Sequence, residues 1–345
     1  VIFCHGGVKL PIFKQFEKYD NYISDIYMNQ GVLEKIRDKS RVLVLGTNLS
    51  MIDAILIIDQ LKLNISVTAA SRKAYFPCIK PANVDHSAGI LMLRQTKDFI
   101  NENNQLTASM LIDFLDFQFT CFLGNEYALE ANAKSYNKEV RRYLVKNLLN
   151  EDYEANKLAQ IYPYIDLCID MVWPHLNDNE KQKFKYISRY LIRIIGGVNE
   201  VNFEKLKLIM NNTAPICLEK LLYIGVSKGN FKAYFASNKT LSRQYEYIID
   251  CNGIQGYYHP DHNALLAKNI LYNKQIKISD NHRIAIDNNA KVLSNDSVYS
   301  NVYALGVAGD SESFITNSFP FYVQQAIPVV NSICNRLNQR RSTLS

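Results

Sequence analysis

A chain of 345 residues is long enough for two domains and for a core that needs neither disulfides nor a metal to hold it. Its 48% hydrophobic and 21% charged content is that of an ordinary globular protein, and its longest apolar runs fall short of a bilayer, so no membrane-spanning helix is expected. The net charge of +6 comes from Lys and Arg interspersed with Asp and Glu rather than gathered in a block, which argues against nucleic acid as a partner.

Val1 to Cys4, followed by Gly6-Gly7 and Pro11, reads as a strand that ends by crossing into another domain. The chain enters this strand without a methionine or a signal peptide, so a truncated start is expected rather than a targeting segment. Tyr19 to Arg37 reads as a short helix and a connector. Next comes "RVLVLGTNLSMIDAILII", with a strand at Val42–Leu45, a glycine at its end and a helix from Ser50 to Leu61, and then a second strand at Ile65–Ala70. Together they make one β-α-β unit.

From Leu106 to Asn211 the apolar residues recur at three- and four-residue spacing, as in "YISRYLIRIIGG", which predicts a helical insertion with Trp173 as an anchor of its core. After Pro215 the period shortens. Leu221–Val226 and Phe231–Ala236 predict a hairpin with a Gly-Asn turn, and Tyr245–Cys251 predicts a further strand. Short strands at Ile284–Ile286 and Val302–Leu305 and a helix over Tyr322–Arg336 complete the chain.

The first β-α-β unit carries the chemistry. A dinucleotide pyrophosphate binds against the N–H groups and positive dipole of a helix N-terminus, where glycines let the backbone approach. Gly46 sits where the strand must turn, Thr47, Asn48, Leu49 and Ser50 offer their N–H groups, and Ser50 or Asn48 is a candidate cap. Asn48 stands where such a turn usually has its second glycine, and Met51 where it has its third. Asn tolerates left-handed backbone angles, so the turn is expected to survive with a side chain crowding the phosphate, and Met51 is expected to press the helix away from the strand. At the end of the second strand, Ser71-Arg72-Lys73 replaces the acidic residue that would meet an NAD ribose. A hydroxyl followed by two cations suits a 2′-phosphate, which favours NADP over NAD.

The seven cysteines are scattered, odd in number and never spaced C-x-x-C, which argues for a reducing, cytoplasmic setting and against a zinc site or redox dithiol. Cys251 before Asn252-Gly253 reads as a buried strand end. His259-Pro-Asp-His262 lacks further ligands at a consistent spacing and reads as a surface turn. No G-x-S-x-G pattern points to a hydrolase.

"VLVLGTNLSMIDAILIIDQL" with "ISVTAASRKAYFP" resembles the bacterial FAD/NAD(P)-binding flavoproteins whose signature reads roughly V-L-V-L-G-T-G-L-T-M-V-D, followed by a strand ending S-R-R-G and a nearby Pro. On that template Met51 is the family's own residue, whereas Asn48 and Ser50 depart from Gly and Thr. "VIFCHGG" resembles the family's crossover strand, "YEYIIDCNG" a strand reading V-I-N-C-T-G, and "NVYALGVAGD" the strand and Gly-Asp turn that faces the flavin. The family's first FAD fingerprint, G-x-G-x-x-G, is absent from these residues.

The resemblance implies an α/β, Rossmann-like two-dinucleotide-binding flavoprotein architecture with a helical insertion. Residues 1–38 and 266–345 would form an FAD-type part, 39–104 and 216–265 an NAD(P)-binding part, and 105–215 the insertion. It further implies that Gly46, Thr47, Asn48, Leu49 and Ser50 bind the NAD(P) pyrophosphate, that Ser71 and Arg72 meet the adenosine ribose or its phosphate, and that Gly306, Gly309 and Asp310 face FAD. The implied activity is hydride transfer from NAD(P)H to FAD and on to an acceptor the sequence does not identify. Two alternatives stay open: a flavin-dependent N-hydroxylating monooxygenase, and a cofactor-free interaction protein that keeps the fold.

Overall fold

The computed structural model describes residues 2–3, 13–24, 26, 30–62, 64–72, 76–138, 143–144, 153–212, 217–252, 276–278, 284–287, 289–294, 298–305, 309–310 and 319–342. The chain divides into two compact units. The larger comprises Pro11–Cys168 with His175–Gly253, and the smaller Val1–Leu10, Ile169–Pro174 and Ile254–Ser345. The sequence expectation put its first break near residue 38; here residues 11–38 belong with the larger unit.

The smaller unit holds β1 (Ile2–Phe3), which pairs with a late strand described below. In the larger unit the first elements are β2 (Tyr22–Ile23), the short helix α1 (Gln30–Leu33), β3 (Arg41–Leu45), α2 (Leu49–Gln60) and β4 (Ser66–Ser71). The strand and helix of the predicted β-α-β unit are thus present within a residue of their expected ends. Beyond them lie β5 (Ile79–Lys80), α3 (His86–Glu102), α4 (Ala108–Leu123), α5 (Leu129–Lys138), β6 (Tyr143–Leu144), α6 (Tyr153–Leu158), α7 (Tyr162–Val172), α8 (Asp178–Ile195), β7 (Val198–Asn199) and α9 (Glu200–Asn212). Asp85, Thr107 and Asn177 each accept a hydrogen bond from a first-turn N–H of α3, α4 and α8, which explains why the long helices start where they do. Phe119, Phe184 and Phe203 are fully buried in this helical segment; Trp173, expected as its anchor, is only partly buried.

The larger unit closes with β8 (Cys217–Ser227), β9 (Asn230–Phe235), β10 (Asn238–Tyr245) and β11 (Tyr247–Asp250), giving a sheet ordered β10-β9-β8-β4-β3-β11-β2. From β8 to β2 the pairings are parallel, whereas β8, β9 and β10 run antiparallel. A parallel strand covered on both faces is largely apolar, and Val42–Leu45 and Tyr247–Asp250 are buried at every position, with Asp250 the charged exception. On one face Val42, Val44, Ala69, Leu218 and Ile249 pack with Met51, Ile52 and Ile55 of α2, and with Phe203 and Leu206 of α9. On the other, Leu43, Leu45, Ala70 and Ile248 pack with Phe16, Phe231 and Phe235.

The predicted hairpin forms, but its turn residues are Lys228 and Gly229, with φ of 53° and 77°, and Asn230 is already in β9. Two successive left-handed residues make the tight turn whose twist matches that of the flanking strands. β10 was not expected. Its sequence, NKTLSRQY, is polar and mostly exposed because it lies at the sheet's edge, so the alternation that marks a half-buried strand is missing.

In the smaller unit β12 (Ile284–Ala285), β13 (Lys291–Leu293), β14 (Val298–Ala304) and β15 (Gly309–Asp310) precede α10 (Phe319–Ser342). β1 pairs parallel with β14, β14 antiparallel with β13, and β12 parallel with β15. Ala290, Tyr303 and Val329 are buried together, and the hydroxyls of Tyr303 and Ser332 lie 3.0 Å apart. Among the described residues no helix is long and apolar enough to cross a membrane.

Candidate functional site

The parallel strands β3, β4 and β11 end side by side, and the residues singled out from the sequence lie at that edge. Leu45 is level with Ala70 on one side and with Asp250 on the other. The turn that follows is tied to both neighbours: Gly46 N–H donates to Ala70 O at 2.7 Å, and Cys251 N–H donates to Leu45 O at 2.6 Å. Gly46 has φ of +115°, and a Cβ there would overlap the carbonyl group of Cys251, so only glycine fits for two independent reasons.

Thr47 is buried, and its hydroxyl lies 3.0 Å from that of Ser71, joining the turn to the end of β4. Asn48 and Leu49 are exposed and Ser50 is half-buried. Asn48 is the N-cap residue of α2, yet its side chain makes no capping bond. The first N–H groups of a helix have no intrahelical acceptor. Uncapped and exposed at the carboxyl edge of a parallel sheet, this helix start has the donors and dipole that a pyrophosphate needs, so the residues present fit the group.

Two expectations are corrected. Asn48 has φ of −110° and ψ of −160°, an extended conformation open to any residue, so its tolerance of left-handed angles is not used. Met51 does not hold the helix off the sheet. It is fully buried among Val44, Ala69 and Ile55, where an unbranched side chain fills the space a third glycine would have closed.

Arg72 is exposed just beyond Ser71. Gly309 and Asp310 form β15, level with Ile284 and Ala285 of β12. Gly306, Lys73 and the segment His259 to His262 lie outside the described residues. Among the described residues no cluster of His, Cys, Asp and Glu could hold a metal ion.

Sequence reasoning missed a polar network beside the turn. Asp250 is buried at the end of β11; its carboxylate accepts from the Tyr22 hydroxyl at 2.7 Å, from Asn252 N–H at 3.0 Å and from the Asn252 side-chain amide at 2.7 Å. Burial, then the Asp250 carboxylate, raises the Tyr22 phenol well above its ordinary range. The network fixes the Cys251 backbone that Gly46 must pass. Tyr22 and Asp250 are 228 residues apart, so no local pattern could reveal it.

On the opposite face of the sheet from α2, Glu219 is fully buried, with an oxygen 2.9 Å from Arg243 and another accepting from the Ser237 hydroxyl at 2.7 Å. Elsewhere, Lys80 has its ammonium 3.7 Å from the centre of the Tyr162 ring, and burial lowers it to about 8 against an opposing pull from Asp166.

The sequence matches no protein-family model and no curated protein. Solved structures similar to this chain include ornithine hydroxylase (PvdA) from Pseudomonas aeruginosa, at 12% identity over 96% of this chain and 61% of that one with a TM-score of 0.42. L-lysine 6-monooxygenase from Pseudomonas syringae is 11% identical over 98% of this chain and 63% of its own, with a TM-score of 0.44. A pyridine nucleotide-disulfide family oxidoreductase from Enterococcus faecalis V583 is 13% identical over 96% and 47%, with a TM-score of 0.37. The chain therefore spans less than two thirds of the length of each of these proteins.

Proposed function

We propose that the protein is a flavin-dependent oxidoreductase that takes hydride from NAD(P)H. The observation that carries this reading is the turn between β3 and α2: a glycine that admits no side chain, followed by an exposed and uncapped helix start at the carboxyl edge of a parallel sheet. The N–H groups of Thr47, Asn48, Leu49 and Ser50 would hold the pyrophosphate, and Ser71 and Arg72 the adenosine ribose or its phosphate. The Thr47–Ser71 hydrogen bond keeps these two subsites in register.

The flavin is assigned from the resemblance of "NVYALGVAGD" to the family's flavin-facing turn, with Gly306, Gly309 and Asp310 as the residues concerned. FAD would supply the hydride acceptor, so the protein's task is to bind and orient the two cofactors, and no acid-base side chain is required.

The test is a visible absorption spectrum of the protein reconstituted with FAD, recorded without oxygen before and after NADPH. The proposal requires a bound flavin band that bleaches on NADPH. A protein that retains no flavin, or a flavin band that NADPH leaves unchanged, would overturn it.

A further inference from the structure

β4 and β8 are adjacent and parallel, with Ala69 level with Leu218, Ala70 with Glu219 and Ser71 with Lys220. Successive side chains of a strand point to opposite faces, and level residues of neighbouring strands share a face about 4.8 Å apart. The packing fixes which face is which. Leu218 lies in the core beneath α2, whereas Glu219 turns to the other face, where Ser237 and Arg243 engage its carboxylate, and Leu221 packs on that same side. Lys220 therefore stands on the α2 face, beside Ser71 and one position short of Arg72.

The pairing also separates the charges. Arg243 neutralises Glu219 across the sheet, so the neighbouring carboxylate is not available to Lys220. Among the described residues neither Lys220 nor Arg72 forms an ion pair. Ser71 is held toward the turn by Thr47, and Lys220 is only partly exposed. The Ser71 hydroxyl and Lys220 thus share the α2 face at the end of β4, on the side where the helix start of α2 would place a dinucleotide, and the exposed Arg72 follows one position on.

We infer that Lys220 joins Ser71 and Arg72 in a subsite for a 2′-phosphate, and that Lys220 selects the phosphorylated dinucleotide over the unphosphorylated one. The inference rests on the nucleotide-binding reading proposed above and goes beyond it by naming a selecting residue on a strand 149 positions from Ser71. A lysine suits this role as a mobile point charge at the phosphate's edge, leaving the planar guanidinium of Arg72 to stack or fork.

Binding, not turnover, tests it. NADP+, NAD+, 2′,5′-ADP and 5′-ADP are titrated calorimetrically into the protein and into its Lys220→Met and Lys220→Arg variants. The wild type should prefer each 2′-phosphorylated ligand. Lys220→Met should weaken NADP+ and 2′,5′-ADP by about 10- to 100-fold, the loss expected for one charge-assisted contact, while NAD+ and 5′-ADP change less than about twofold. Lys220→Arg should keep most of the preference.

Unchanged NAD+ affinity doubles as the control for folding, and the wild-type preference is read without any variant. Absence of that preference, or equal losses for phosphorylated and unphosphorylated ligands in Lys220→Met, would overturn the inference while leaving nucleotide binding standing. Binding of none of the four ligands to the wild type would overturn both.

Discussion

Gly46 and Asn48 occupy positions that look alike in a fingerprint and differ in what the backbone asks of them. Gly46 has a positive φ and the Cys251 carbonyl against its Cα; Asn48 has an extended backbone and open space. Gly46→Ala should therefore destabilise the larger unit by roughly 2–4 kcal/mol, read from the urea midpoint, because backbone strain and steric overlap add. Loss of less than about 0.5 kcal/mol would mean the turn relaxes freely. Tyr22 gives a second residue-scale prediction. Its folded-state phenol titrates above the unfolded value near 10, so its stabilisation is complete below about pH 10 and is lost as pH rises further. Above pH 10 the wild type should lose about 1.4 kcal/mol more per pH unit than Tyr22→Phe. Parallel curves for the two proteins would contradict the buried Tyr22–Asp250 bond.

At the scale of elements, legibility followed periodicity and burial. β3, α2 and β4 were readable because a continuous apolar run, a turn glycine and a 3.6-residue pattern agree with one another and with the sheet that covers them. β10 was not readable, since an edge strand that faces solvent carries no alternation. The Tyr22–Asp250 network and the level placement of Ser71 and Lys220 are products of tertiary pairing across 228 and 149 positions, which spacing along the chain does not encode. Asn48 and Met51 show the opposite error, in which departures from a pattern were expected to cost more than the geometry demands. The docking of α2 can be weighed directly: Met51→Ala removes a fully buried side chain between strand and helix and should cost about 2–5 kcal/mol of stability to urea. A cost under about 1 kcal/mol would show that α2 is held by other contacts.

For the whole molecule, the chain is an α/β protein whose larger unit carries a mixed, mainly parallel sheet with a candidate nucleotide edge, and whose smaller unit gathers residues from both ends of the chain. Gly46, Thr47, Asn48, Leu49, Ser50, Ser71 and Arg72 lie at one sheet edge because they flank a single β-α-β unit. The residues expected to face a flavin were read from a loose motif near the C-terminus, and of these Gly309 and Asp310 fall on β15. The central claim is that the β3–α2 turn binds a reduced pyridine nucleotide, and an equilibrium titration of NADPH followed by nicotinamide fluorescence tests it most directly. The account predicts saturable one-to-one binding with a dissociation constant below about 1 mM, displaced by NADP+. A signal that stays linear through that range, from protein shown to be folded, would contradict it.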